Sequence, residues 1–202
     1  AALQTNGTLW TWGRGAQGRL GVNSTINKSS PTQVGSSTWA YATIGGNYTL
    51  AISSAGNLYA WGQNGDGQLG VNNTVSASSP VQIGALTTWL QVSAGYNHSF
   101  GILSTNAMYS WGANSQGILG QGYTGGSTIS SPTQVGLDGD WLQVDAGGNY
   151  NCAAVKTDGT LWSWGTNDYG VLGQPGAPNP TNSPAQVGAL TNWAQVSEGY
   201  QT

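Results

Sequence analysis

A four-fold tandem repeat is the feature that most constrains how this chain can fold. Trp-Gly pairs recur at spacings of 49, 50 and 53 residues, beginning at Trp12, Trp61, Trp111 and Trp164. Each is followed by a Leu-Gly pair, then by a Pro-x-Gln-Val/Ile-Gly segment, and then by a second tryptophan: Trp39, Trp89, Trp141 and Trp193. Four landmarks that recur four times in one order define a tandem array of units of about 50 residues.

Each unit is predicted to be β-structure. The residues that end at each Trp-Gly alternate between large and small, as in Leu58-Tyr59-Ala60-Trp61, which puts the two aromatic rings on one face of a strand. A second apolar strand precedes it, joined by turns such as Asn6-Gly7 or Asp158-Gly159, in which both central residues are expected to take positive φ. Asn106-Ala107 departs from this pattern and predicts a different turn.

Such a sheet has two apolar faces, and stacking the aromatic face of one sheet on the Leu/Ala/Ile face of the next buries both. Sheets of three or four strands at this period are typical of β-propeller blades. We therefore predict a single all-β repeat domain, a β-propeller-type array of four blades. The blades are placed approximately at residues 1–38 (partial), 39–88, 89–140 and 141–192, with residues 193–202 starting a further or ring-closing blade. The predicted structural blade core contains Trp12, Trp39, Trp61, Trp89, Trp111, Trp141, Trp164 and Trp193.

Charge is scarce, and this limits the possible partners. Charged residues make up 5% of the chain, against roughly 25% in an ordinary soluble domain, and the net charge is −3. Four cations, Arg14, Arg19, Lys28 and Lys156, cannot provide the basic surface that nucleic acid or an anionic membrane requires. No stretch approaches the roughly 18 apolar residues of a membrane span. Recognition is expected to depend on neutral hydrogen-bonding groups.

The repeat resembles that of the regulator of chromosome condensation family. The resemblance lies in Gly95-Tyr96-Asn97-His98-Ser99, in Trp111-Gly112-Ala113-Asn114-Ser115-Gln116-Gly117-Ile118-Leu119-Gly120 and in Gly62–Gly70. It implies a β-propeller, usually of seven blades, so the four units here are expected to be completed by a larger chain or a homo-oligomeric assembly. The family's founding activity, nucleotide exchange on a small GTPase at chromatin, calls for a basic surface that this chain lacks. Its low-charge, Asn/Thr/Gly/Trp-rich composition is similar to that of repeat proteins of bacteria and phages.

Few residues are candidates for chemistry. We expect His98, the only histidine, and Cys152, the only cysteine, to be buried blade residues, and together they cannot supply the three or four ligands of a zinc site. Asp138, Asp140 and Asp145 form the one acidic cluster, which is either a Ca²⁺-binding loop, a glycoside-hydrolysing pair or, by preference, a polar loop leading into a strand. No cofactor, metal ion or catalytic residue is predicted.

The segments between each Leu-Gly and the following proline vary most between units, and repeat proteins often bind ligands with such loops. These loops and the acidic cluster supply the predicted binding residues: Asn27, Asn73, Tyr123, Asp138, Asp140 and Asn179. We predict a non-enzymatic binding or structural module that contacts a protein or a cell-surface glycan, extracellular or on a virion or bacterial surface appendage such as a tail fibre or adhesin. The alternatives are an intracellular (cytoplasmic) regulator of a small GTPase or scaffold, and a glycan-active enzyme.

Overall fold

The computed structural model describes residues 1–125 and 128–199, which form four antiparallel sheets in chain order. The first sheet has three strands: β1 (Ala2–Leu3), β2 (Leu9–Gly13) and β3 (Lys28–Gln33). The second contains β4 (Trp39–Ile44), β5 (Tyr48–Ser53), β6 (Leu58–Gly62) and β7 (Ala77–Gln82). The third contains β8 (Trp89–Ala94), β9 (His98–Leu103), β10 (Met108–Gly112) and β11 (Ile129–Gln134). The fourth contains β12 (Trp141–Asp145), β13 (Asn151–Lys156), β14 (Leu161–Gly165) and β15 (Thr181–Gln186).

The predicted all-β architecture is confirmed. Every sheet pairs its strands in sequence order, and the third strand of each four-stranded sheet carries the Trp-Gly pair. Besides strands there are only short 3₁₀ turns in the described part of the chain, at Ala16–Gly18, Ser115–Gly117 and Asp168–Gly170. The units of the repeat are therefore four small sheets joined by loops.

Three aromatic residues pack together in each four-stranded sheet. In the second sheet the Trp39 ring lies 5.3 Å from Tyr59 and 5.7 Å from Trp61, centroid to centroid. The third and fourth sheets repeat this arrangement, with Trp89 against Tyr109 and Trp111, and with Trp141 against Trp162 and Trp164. Each trio packs against the aliphatic face of the preceding sheet, so the core consists of three separate clusters between neighbouring sheets. Aromatic faces thus stack on aliphatic faces, as the alternation of the strands predicts.

The contact between neighbouring sheets depends on the glycine of each of the first three Leu-Gly pairs, Gly21, Gly70 and Gly120. A Cβ atom added to Gly70 would lie 2.7 Å from the indole nitrogen of Trp111, and one added to Gly21 would lie 2.5 Å from that of Trp61. The Trp111 indole N–H donates to the Gln68 carbonyl over 2.9 Å, and Trp164 donates to Ile118 over 2.8 Å. Only a residue without a side chain allows the indole to approach the neighbouring backbone so closely.

The prediction that all eight tryptophans are core residues is wrong for two of them. Trp61, Trp111 and Trp164 are fully buried, and Trp39, Trp89 and Trp141 are nearly so. Trp12 is 45% exposed, because the described residues contain no sheet that precedes β1–β3 and could cover its ring. Trp193 is 39% exposed, since it lies in a segment that belongs to none of the four sheets.

The predicted turn between the second and third strands also differs from the structure. Gly7, Gly56 and Gly159 have positive φ, but the residues before them do not, so these are not turns with two left-handed residues. Asn106 takes the position of these glycines, with φ of +59° and its N–H bonded to the Leu103 carbonyl. Asparagine tolerates this backbone conformation better than most residues, which explains how the third unit forms the turn without glycine.

The first strands of neighbouring four-stranded sheets are joined by glutamine side chains. Gln91 on β8 donates to the Val144 carbonyl over 3.3 Å and accepts from the Val144 N–H over 3.2 Å. Gln143 on β12 forms the same pair of bonds with Val196, at 3.0 and 2.9 Å. Residues 193–199 therefore lie beside β12 in the way that β12 lies beside β8. Tyr41 occupies the corresponding position of the second sheet and forms no such bonds.

Candidate functional site

One contact between neighbouring sheets departs from the repeat. We call the contacts between consecutive sheets the first, second and third junctions. At the third junction Lys156 replaces Ser53 and Leu103 opposite the first-strand tryptophan. Trp162 lies where the second and third sheets have Tyr59 and Tyr109 and the first sheet has Trp10. Asp138 and Asp140 lie in the loop that enters this sheet, where the second unit has Ala85-Leu86-Thr87-Thr88. Departure from a repeat that folds without these residues marks the third junction as the candidate site.

Lys156 is the centre of this group. Its ammonium nitrogen lies 2.8 Å from Asp138 Oδ2 and 3.2 Å from Asp140 Oδ2. It also lies 4.8 Å from the centre of the Trp141 ring and 4.5 Å from that of Trp162, both cation–π distances. Burial acts to lower the pKa of Lys156, but the hydrogen bonds and charges of the two carboxylates outweigh it and hold the pKa above its ordinary value. Lys156 therefore stays charged and fixes both the acidic loop and the indoles.

A groove of about 390 Å³ opens beside this group, between the third and fourth sheets. Trp141 and Trp162 form its aromatic side, and the side chains of Asp138, Gln121 and Gln134 contribute polar groups along it. Its size lies within the range of small-molecule clefts. The Trp162 ring is fixed from several directions, since its N–H donates to Thr160 Oγ1 over 2.8 Å and the Trp141 ring meets it edge-on at 6.0 Å. The groove is thus rigid on its aromatic side.

Some polar groups of the groove are free to bind. The side chains of Gln33 and Gln82 each donate to a backbone carbonyl two residues later, at Gly35 and Gly84. Gln134 is their counterpart in the third sheet, but its side chain makes no hydrogen bond within the described residues, and it is exposed. Asp138 is largely exposed too, and among residues 1–125 and 128–199 the only partner of its carboxylate is Lys156, which bonds to Oδ2. The groove therefore offers an amide and a carboxylate oxygen to a ligand.

The other predicted binding residues are distributed among loops of different units. The Asn27 side chain accepts from the Gly15 N–H over 3.0 Å, and that of Asn179 accepts from the Asn167 N–H over 2.9 Å. The Asn73 side chain accepts from the Val75 N–H over 2.8 Å. These amides close their own loops. Tyr123 is 44% exposed and lies near the groove, with its hydroxyl 3.4 Å from Gln121 Oε1. Of the six predicted binding residues, the third junction therefore brings Asp138 and Asp140 together, and Tyr123 contacts Gln121, which lines the groove.

His98 and Cys152 are buried inside the third junction. The Cys152 sulfur lies 3.6 Å from His98 Nε2, but this nitrogen is also 2.6 Å from the Ala146 carbonyl and must carry a proton to bond with it. Burial lowers the pKa of His98 to about 4 and raises the pKa of the Cys152 thiol well above its ordinary value. Both groups are therefore neutral near pH 7, and the imidazole is not placed to take the thiol proton, as a nucleophilic cysteine would require.

The acidic loop is arranged for an ion pair. Asp138 and Asp140 both point to the Lys156 ammonium, which takes the position that a Ca²⁺ ion would need. Across residues 1–125 and 128–199 no three His, Cys, Asp or Glu side chains are grouped so that they could hold a metal ion. Within the same ranges we find no helix with the length and apolar character that crossing a membrane requires.

Sequence reasoning missed Lys156, Trp162 and Gln134 as members of the candidate site. Lys156 differs from the residues at its position in the other units, so a comparison of repeats could have found it, whereas Trp162 has a counterpart of the same type in Trp10. Gln134 has the same identity as its counterparts, and its side chain, like that of Gln186 and unlike those of Gln33 and Gln82, makes no hydrogen bond within the described part of the chain.

The stacked four-stranded sheets and the repeated Trp-Gly and Leu-Gly contacts define a class of protein, the blade array of a β-propeller. The profile of the Regulator of chromosome condensation (RCC1) repeat matches residues 6–52, 55–102, 106–154 and 158–202, and a second RCC1 repeat profile matches residues 89–118 and 141–171. The chain belongs to the RCC1 repeat family. No curated protein matches its sequence.

Solved structures support the same fold. Human WBSCR16 is similar with a TM-score of 0.84 and 24% identity, covering 98% of this chain and 52% of that protein. Yeast RCC1 (Prp20), in its complex with Kap60, has a TM-score of 0.81 and 22% identity over 93% of this chain and 46% of that one. Prp20p from Saccharomyces cerevisiae, described with its binding to Gsp1p and histones, has a TM-score of 0.79 and 23% identity, covering 93% and 48%. The chain thus spans about half the length of these proteins.

Proposed function

We propose that the chain is a non-enzymatic binding module that recognises its ligand at the third junction, as part of an extracellular, virion or bacterial surface structure. The observation that carries this proposal is the groove at the third junction, beside which Asp138, Asp140 and Lys156 depart from the residues of the other units. The first and second junctions keep the blades together without Lys156, Trp162 or the acidic loop. These residues are therefore free to serve recognition.

Two features support a binding role over catalysis. Asp138 and Asp140 converge on one ammonium group, whereas a glycosidase places its two carboxylates on opposite sides of the scissile bond. His98 and Cys152 are buried and neutral near pH 7. For the extracellular part of the proposal, the support is that the loops are neutral and that the single thiol is buried, both of which are compatible with an extracellular environment.

Family membership favours one second candidate, regulation of a small GTPase. Prp20p has been described with binding to Gsp1p and histones, and both interactions belong to that protein. Of the four cations here, Lys156 is buried in its ion pairs, which leaves Arg14, Arg19 and Lys28 to face an acidic partner. This low basic charge makes a chromatin-docked regulator the weaker candidate.

The proposal is tested by binding of the fluorescently labelled chain to a panel of intact bacterial cells, measured by flow cytometry. We expect binding to at least one strain, reduced when Trp162 and Gln134 are each replaced by alanine. Gln82→Ala, the counterpart of Gln134→Ala in the second sheet, is the matched control and should bind like the wild type. Absence of binding to every strain, or acceleration of nucleotide release from a small GTPase by the chain, would contradict the proposal. The enzyme alternative requires polysaccharide cleavage that is lost in the Asp138→Asn, Asp140→Asn variant.

A further inference from the structure

We infer that the groove of the third junction binds a neutral sugar, with the Trp162 ring as the stacking surface and Gln134 and Asp138 as hydrogen-bonding groups. This inference rests on the proposed function, because it names the class of ligand that the same site would take. It follows from the combination of a fixed aromatic surface with unpartnered polar groups at its edge.

The aromatic side of the groove suits one face of a sugar ring. Pyranose rings expose a face of C–H groups that carry partial positive charge, and the face of an indole carries the negative part of its quadrupole. Trp162 is held by its hydrogen bond to Thr160, by the edge of Trp141 and by the Lys156 ammonium, so it needs little ordering when a ligand arrives. Tyr59 and Tyr109, its counterparts at the other junctions, offer a smaller ring.

The polar side of the groove suits sugar hydroxyl groups. A hydroxyl both donates and accepts, and the Gln134 amide offers a donor and an acceptor that no residue in the described ranges uses. Asp138 keeps one oxygen free while Lys156 holds the other, so its carboxylate is oriented before binding. A hydrogen bond from a hydroxyl to an ionised carboxylate is stronger than one between neutral groups.

Charge selects among sugars. The side chains of Asp138, Asp140 and Lys156 carry two carboxylates and one ammonium, which gives this group a net charge of −1. An exposed Asp138 therefore repels sialic and uronic acids, and neutral hexoses or N-acetylhexosamines are the expected ligands.

Other cavities are less suited to a sugar. A larger groove of about 530 Å³ runs along residues 174–188 of the fourth unit, but no aromatic or charged side chain lines it. A cavity of about 190 Å³ contains Tyr150 and Tyr169. It lies at the 3₁₀ turn Asp168–Gly170, and the corresponding turns of the first and third units pack against the next sheet. The groove of the third junction places two indole rings beside free polar groups, whereas a cavity of about 230 Å³ at the first sheet contains the single indole of Trp12 beside Arg14 and Arg19.

The test is an array of immobilised glycans probed with the labelled chain, followed by isothermal titration with the glycan that binds best. The array carries oligomers of glucose, galactose, mannose and N-acetylglucosamine together with sialylated and uronic-acid-containing glycans. We expect binding to neutral glycans, weakened about tenfold or more by Trp162→Ala and about three- to tenfold by Gln134→Ala, with Gln82→Ala unchanged. Gln134 is exposed, so its variant stays folded even if Trp162→Ala does not.

Three results would overturn the inference: no binding to neutral glycans, preference for acidic ones, or neutral binding that Gln134→Ala and Trp162→Tyr leave unchanged. Pretreatment of the cells in the flow cytometry experiment separates this inference from the proposed function. Cell binding that is lost after periodate oxidation supports a sugar ligand. Cell binding that is lost only after protease treatment rejects the sugar and retains the binding module.

Discussion

Replacement of Trp111 by alanine should destabilise the protein far more than the same replacement of Trp12, although both tryptophans occupy the same position in the repeat. Trp111 is fully buried, stacks on Gly70, meets Trp89 at 6.1 Å and donates to the Gln68 carbonyl. Trp12 is 45% exposed, and the described residues contain no neighbouring sheet to receive its indole. The two variants remove the same side chain, so the difference between their free energies of unfolding measures the contribution of the contact with the preceding sheet.

The expected magnitudes follow from burial. A tryptophan side chain covers up to about 250 Å² of surface, which at about 25 cal/mol per Å² gives roughly 6 kcal/mol as an upper bound for Trp111. Measured replacements of large aromatic residues by alanine cost about 3–5 kcal/mol, so we expect about 4 kcal/mol for Trp111→Ala. Trp12→Ala loses little more than half of this burial and should cost about 2 kcal/mol or less.

Equilibrium unfolding in urea, followed by circular dichroism, measures the free energy of unfolding of both variants. In a repeat array the sheets can unfold separately, so the denaturation of each variant is also followed by hydrogen exchange. Trp111→Ala should expose amides on both sides of the second junction. If Trp12→Ala costs as much as Trp111→Ala, the aromatic contacts between sheets do not hold the array together, and the reasoning is refuted.

Three further predictions concern junctions and pH. Gln91→Ala should lower the free energy of unfolding by about 1–2 kcal/mol, because it removes two hydrogen bonds to Val144. Tyr41→Gln should raise it by about 1 kcal/mol by adding the missing glutamine bridge to the third sheet. Thermal unfolding measures both variants, and a change in the same direction for both would contradict the stabilising role of the glutamine bridge. Gly70→Ala should lower the free energy of unfolding by about 2–5 kcal/mol, because the φ of +71° and the Trp111 ring both oppose a Cβ atom. At Gly84 a Cβ atom meets open space, so Gly84→Ala should cost about 1–2 kcal/mol, from the φ of +57° alone. Burial lowers the pKa of His98 to about 4, so on acidification the unfolded chain binds the proton first and stability should fall between pH 6.5 and 4. His98→Asn introduces the residue found at Asn151 in the fourth sheet, and urea titrations of this variant should lack that pH dependence. A His98→Asn variant whose stability has the wild-type pH dependence would refute the prediction.

Much of the fold is determined locally by the sequence. The alternation in Leu58–Gly62 and its counterparts sets which residues face each neighbouring sheet, because side chains of a strand point alternately to its two faces. The repeat of the Leu-Gly pair predicts a special backbone position at each junction, and the structure explains it by the indole that lies on Gly21 and Gly70. A period near 50 residues with short strands is sufficient to predict propeller blades.

Other features depend on which segments meet in space. Trp12 and Trp111 occupy the same position of the repeat in strands with the same alternation, and Trp111 is buried because a preceding sheet covers it. Asn27, Asn73 and Asn179 lie in variable loops, as expected of binding residues, but tertiary hydrogen bonds use their amides to close those loops. Neither burial nor hydrogen bonding of this kind is encoded in a strand's own pattern.

The sequence by itself determined the sheets, their order and the stacking of aromatic on aliphatic faces, because these follow from side-chain alternation and from the period of the repeat. The tertiary structure decided which residues come together in the candidate site. Lys156, Trp162, Gln134 and Asp138 come from a strand end, a strand centre, another sheet and a loop, and they meet only where the third and fourth sheets pack. Contacts between residues distant in the chain depend on how whole sheets are placed, which no local pattern specifies.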